Sequence, residues 1–181
     1  MSSVKATTPC ALKISEAPVI RGLKLGMTPE EILALFPGSK EDTALRTALS
    51  APPGRFGNSS FLITPSKYGS AANYKEVSRL NFSLLDGRVS NFTINYVDRQ
   101  SPNVDKLIEK FGEDKNLPPP DQWEPYPGMD TQMKTLTCNG FSIRIFDGGE
   151  GASLDYVLVE DLEADKKLKE RRKKAREQAS P

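Results

Sequence analysis

Two periodicities alternate along this 181-residue chain. Helical spacing comes first. Ile32, Leu35 and Phe36 share one face, with Leu33 beside it, over a helix expected at about 29–36. Thr28 is placed to cap that helix, Pro29 fits its first position, and Glu31 completes a capping box. Residues 37–54 read as a polar loop with a short helical turn near Thr43–Leu49. Strand spacing follows. Phe56 to Ile63 suggests a strand ended by Pro65, and 66–75 a loop. Leu80, Phe82 and Leu84 alternate up to Asp86-Gly87, a favoured two-residue turn, and Phe92, Ile94 and Tyr96 alternate on the return.

The pattern then restarts. Ser101-Pro102 repeats the Thr28-Pro29 cap, Val104, Leu107, Ile108 and Phe111 lie at helical spacing, and Gly112 ends the helix. A loop rich in proline, Leu117 to Pro120, leads past Trp123 to Pro125 and Pro127. Asn139-Gly140 marks a second hairpin, followed by alternating Phe141, Ile143 and Ile145. A glycine loop, Gly148-Gly149-Glu150-Gly151, leads to a last strand where Leu154, Tyr156 and Leu158 alternate. Antiparallel strands with helices on one face predict an α+β fold. Two helix-plus-meander units are expected side by side, as a weak internal duplication. The expected boundaries are an arm over 1–18, units over 19–99 and 100–160, and a charged helical tail over 161–181. Within the arm, Ala11-Leu12-Lys13-Ile14 is expected to pair as an edge strand.

Composition narrows the chemistry. The formal net charge is +1 and histidine is absent. The commonest general base, His-paired nucleophiles and the commonest zinc ligand are therefore missing. Lysine, carboxylate and tyrosine chemistry remain open, but the sequence argues against an enzyme, and no cofactor or metal is expected. Cys10 and Cys138 are too far apart for a short metal motif. They read either as two buried free thiols or as one disulfide pinning the N-terminal arm in an oxidising compartment. We favour the disulfide, which on chain-entropy grounds is worth about 4–5 kcal/mol. No run approaches the ~20 apolar residues of a membrane span. The first twenty residues lack an apolar signal core. Met1-Ser2-Ser3 is read as a start placed on a mature chain whose export signal was removed. Thr7-Thr8-Pro9 before Cys10 does not form a lipoprotein processing site.

The stretch Leu25-Gly26-Met27-Thr28-Pro29-Glu30-Glu31-Ile32, then Leu35-Phe36-Pro37-Gly38, then the Asp86-Gly87 hairpin, resembles two related groups. These are the small outer-membrane assembly lipoproteins of the SmpA/OmlA type and the tandem-repeat β-lactamase inhibitor proteins. The resemblance implies an exported, non-enzymatic protein that presents a sheet surface to another protein. It supplies no contact residue, because the matching positions are helix caps and core.

Among other candidates, the 148–151 glycine loop joins two strands and is followed by no nearby lysine, so a phosphate cradle is disfavoured. Asp147, Glu150 and Asp155 lack the spacing of a calcium loop. Asp98-Arg99 and Asp114-Lys115 read as surface charges, and Glu30 and Glu31 suit a helix N-terminus. Tyr68, Tyr74, Trp123 and Tyr126 lie in loops beside proline and glycine and are candidate partner contacts. Trp123 also reads as a cover over the second core. From Lys166 to Arg176, eight of eleven residues are Lys or Arg. A solvated, frayed helix is the favoured reading, with Glu163 supporting Lys167. Attraction of nucleic acid or an acidic partner is the sharper one.

Two functions are expected to compete. The first is an exported, periplasmic or secreted binding module for an unidentified protein, tolerant of tail deletion. The second is a cytoplasmic scaffold whose tail, Lys166–Arg176, binds nucleic acid or an acidic partner.

Overall fold

The computed structural model describes residues 9–69, 71–97, 103–148 and 155–179. Its strands are β1 (Asn58–Ile63), β2 (Val77–Leu85), β3 (Arg88–Tyr96), β4 (Glu124–Pro125), β5 (Met133–Thr137), β6 (Phe141–Phe146) and β7 (Asp155–Asp161). The α-helices are α1 (Pro29–Leu33), α2 (Thr43–Ser50), α3 (Val104–Gly112) and α4 (Leu162–Ala179). All seven strands join one antiparallel sheet in the order β1-β2-β3-β7-β6-β5-β4. Two three-stranded meanders, β1-β2-β3 and β5-β6-β7, therefore meet through their last strands. The seam runs from Asn91 opposite Glu160 to Tyr96 opposite Asp155. One apolar cluster spans both halves, from Ile20 and Phe36 to Ile145 and Val159, so the two units share a core.

Local chemistry sets the elements. Thr28 Oγ1 accepts from the Glu31 N–H and Glu31 Oε2 accepts from the Thr28 N–H, closing the expected capping box. Asp86 and Gly87 both hold positive φ, as a two-residue hairpin turn requires. Ser90 is left unpaired in a bulge where the β2–β3 register shifts. The cap of α3 differs from expectation. Asn103 provides it, accepting from the Lys106 N–H at 3.1 Å, whereas Ser101 and Pro102 lie outside the described residues.

The arm also departs from expectation. Only Lys13 bridges to Asn139, and Ile14–Glu16 turns into a short 3-10 helix. Gly140 of the Asn139-Gly140 turn holds φ +98° with Ile14 packed over it, so the arm crosses the hairpin at its turn. Cys10 and Cys138 form a disulfide that fixes this crossing.

Strand alternation gives the sheet two unlike faces. Phe61, Leu80, Phe82, Phe92, Ile94, Phe141, Ile143, Val157 and Val159 point toward α1 and α3 in the common core. Helix α3 buries Val104, Leu107, Ile108 and Phe111 there. Lys134 of β5 reaches Asp105 of α3 at 2.6 Å. Helix α2, capped by Asp42 through the Leu45 N–H, borders the outer edge of β1.

Candidate functional site

The opposite face is open along most of its length. It carries Leu62 from β1, Asn81 and Ser83 from β2, and Asn91, Thr93 and Asn95 from β3. Tyr156, Leu158 and Glu160 continue it on β7, and Ser142, Arg144 and Phe146 on β6. Most are half-buried and Leu62 is 52% exposed. Phe146 and Tyr156 stack at 5.3 Å between ring centres, and the Tyr156 hydroxyl lies 3.6 Å from Met133 Sδ. An aromatic pair, an aliphatic side chain and a guanidinium thus sit among short amide and hydroxyl groups. This mixture suits protein surface on which both apolar contact and hydrogen bonding are made. On β7 the expected alternation of Leu154, Tyr156 and Leu158 falls on the outward row. Val157 and Val159 face the core, whereas Tyr156 and Leu158 face outward, and Leu154 lies outside the described residues. Apolar residues of both parities mark a central strand that uses both faces, and this was the overlooked sequence signal.

Helix α4 closes one end of the open face. The Leu162 N–H bonds Gly140 O, and Asp161 Oδ1 accepts from the Glu163 and Ala164 N–H groups, so the helix start is fixed. The half-buried stripe Ala164, Leu168, Arg171 and Ala175 faces the protein, yet no α4 residue is fully buried. Its far anchor is ionic. Arg171 grips Asp86 with two hydrogen bonds of 2.9 Å, Lys167 Nζ reaches Asp86 Oδ2 at 2.7 Å, and Arg171 also donates to Phe56 O at 2.7 Å. Gly57 makes room for this cluster. A Cβ there would meet Asp86 Oδ1 at 2.5 Å and Arg171 Nη1 at 2.8 Å. Hydrogen bonds from Arg171 and Lys167 hold the Asp86 carboxyl well below the usual carboxylate range. The tail is therefore docked helix, and Lys167 pairs with Asp86 in place of the expected Glu163. Within the helix, Asp165 pairs with Lys169 at 2.5 Å and Lys173 with Glu177 at 3.9 Å.

Between α4 and the sheet lies a cleft of about 270 Å³, lined by Ser60, Ser83, Asn91, Glu160, Asp165 and Arg172. Burial pushes the Glu160 carboxyl up, Asp165 adds to the rise, and Arg144 and Lys169 oppose it. A second recess, about 550 Å³, separates α2 from β1 and is lined partly by Ala44, Ala48, Leu62 and Tyr68.

The four aromatic candidates are scattered. Trp123 is 1% exposed and donates from Nε1 to Pro118 O at 2.9 Å. Tyr74 is also buried, against Phe36, and its hydroxyl donates to Arg21 O at 2.7 Å. These two are core residues and present no surface. Tyr68 is half-buried and donates to Asp42 Oδ2 at 2.8 Å; burial and that bond push its phenol up to about 12. Tyr126 is 47% exposed. Asp147 and Asp155 are buried beside each other's strand ends, Asp155 accepting from the Gly148 N–H at 2.9 Å. Gly149, Glu150, Gly151, Asp98 and Arg99 lie outside the described residues. Among the described residues, no group of three or more acidic or cysteine side chains could hold a metal ion, and no helix is long and apolar enough to cross a membrane.

No family model matches the chain, and no curated protein or solved structure matches it significantly. The α+β class of the fold and the disulfide rest on the structure itself.

Proposed function

We propose that this chain is a non-enzymatic binding module, exported to an oxidising compartment, that engages another protein with the open face of its sheet. The observation that carries the reading is the segregation of α1 and α3 to one face. The other face is left with Tyr156, Phe146, Leu158, Arg144 and Leu62 accessible among serine, threonine and asparagine side chains. The lack of histidine and the commitment of both cysteines to a disulfide support a role without catalysis. The disulfide, together with the lack of a membrane-crossing helix among the described residues, is compatible with a periplasmic or secreted protein.

The test is affinity capture from the native host with Leu158→Asp and, as control, Glu109→Arg on the exposed side of α3. Loss of a specific partner with the first variant alone is expected. Equal capture by both would contradict the reading. The cytoplasmic scaffold reading draws on the exposed Lys166, Lys169 and Lys174 of α4. Free thiols in the native protein and polyanion binding lost with residues 166–176 would favour it instead.

A further inference from the structure

We propose that α4 is a releasable cover, latched at Asp86, over one end of the open face. The word cover rests on the binding reading above; the latch does not, and its test needs no partner.

Three features carry the proposal. The first is the way the helix is held. Its half-buried positions carry two large apolar side chains, Leu162 at the tied start and Leu168 beyond it, the others being alanines, Asp165 and Arg171, so past the first turn apolar burial contributes little to holding it. The start is tied through Gly140 and Asp161, and the middle through Asp86 and Phe56. This is the geometry of an arm fixed at one end and latched along its length.

The second is that the latch is a built receptor. Gly57, Asp86 and Arg171 are distant in sequence and converge on one point. Gly57 lacks the side chain that would occupy it, Asp86 sits at the tip of a hairpin, and Arg171 satisfies both carboxylate oxygens and a backbone carbonyl at once. An isolated exposed ion pair contributes little, but a bidentate arginine shared with a second cation has the geometry that does. Because it is half-exposed it remains sensitive to salt.

The third is what lies beneath. The cleft keeps α4 off the sheet, and its floor is Ser60, Ser83, Asn91 and Glu160, the continuation of the open face. Releasing α4 would return Glu160 to water and uncover the end of that face at Asn91, Ser83 and Ser60.

Asp86→Asn tests the latch cleanly. Asparagine suits the same positive-φ turn before Gly87 but cannot bind Arg171 and Lys167 as a carboxylate does. Limited trypsin digestion with mass spectrometry, together with amide hydrogen exchange, reads the result. Cleavage between 166 and 176 and exchange over α4 should rise several-fold, while α3 stays protected. Wild-type protein in about 1 M salt, where the screening length is roughly 3 Å, should change in the same direction. Arg171→Ala, which leaves the hairpin intact, should reproduce the effect. Unchanged protection of α4 in both variants overturns the proposal. So does loss of protection in α3 together with α4, which would make α4 an integral part of the fold. The binding reading fails separately, if Leu158→Asp leaves partner capture intact.

Discussion

The two faces of the sheet hold their helices by different forces. On the covered face, α3 inserts Val104, Leu107, Ile108 and Phe111 into a core shared by both meanders. On the open face, α4 buries no residue completely and is held through Asp86. Apolar docking is non-directional and is lost only when the core opens. An exposed charge cluster is directional, screened by salt and separable from the rest of the fold. The first face therefore carries the core on which folding depends, and α4 on the second is held at a few polar points.

Substitutions of matched size should expose this contrast. Ile108→Ala, which empties a fully buried site, should cost about 2–5 kcal/mol in urea unfolding. Leu158→Ala on the open face should cost less than about 1 kcal/mol. Similar losses would erase the distinction. Removing the disulfide with Cys10→Ser and Cys138→Ser should cost about 2–5 kcal/mol, read as a lower urea midpoint. Thr28→Ala removes one helix cap on the covered side and should cost about 1 kcal/mol.

Titration gives the smallest effects. The Tyr68 phenol, raised to about 12, favours the folded state below the ordinary tyrosine range near 10. That contribution is lost as pH rises through 12. Ultraviolet titration should show Tyr68 ionising late, and earlier in Asp42→Asn. Asp86 has the opposite sign. Its lowered value means the latch persists above the ordinary carboxylate range and is lost only as pH falls well below it. The protection of α4, taken as exchange relative to the intrinsic amide rate at each pH, should accordingly be unchanged between pH 7 and 5.

Much of the covered face was legible in the sequence, because period and capping act locally. The Thr28 box, the Asp86-Gly87 turn and the apolar stripe of α3 all follow from neighbours within a few residues. The open face was hidden because its residues are ordinary in sequence. The alternation of Tyr156 and Leu158 assigns them no face, and only pairing with β3 and β6 shows them pointing outward. Of the loop aromatics, Trp123 takes the core-cover role that its sequence allowed, whereas Tyr74 offers no partner contact. Trp123 and Tyr74 satisfy their polar atoms on nearby or facing backbone and become core. The latch was hidden for a further reason. Asp86 suffices as a turn residue, and its charge acquires a role only when Arg171 arrives from the other end of the chain.

The most direct test of the central claim is site-specific photo-cross-linking in the native host, with the probe placed at Leu158 on the open face or at Glu109 on α3. Discrete adducts from position 158, and none from 109, are the predicted result. Adducts from 109 alone would contradict the account and move the working surface to the helical side.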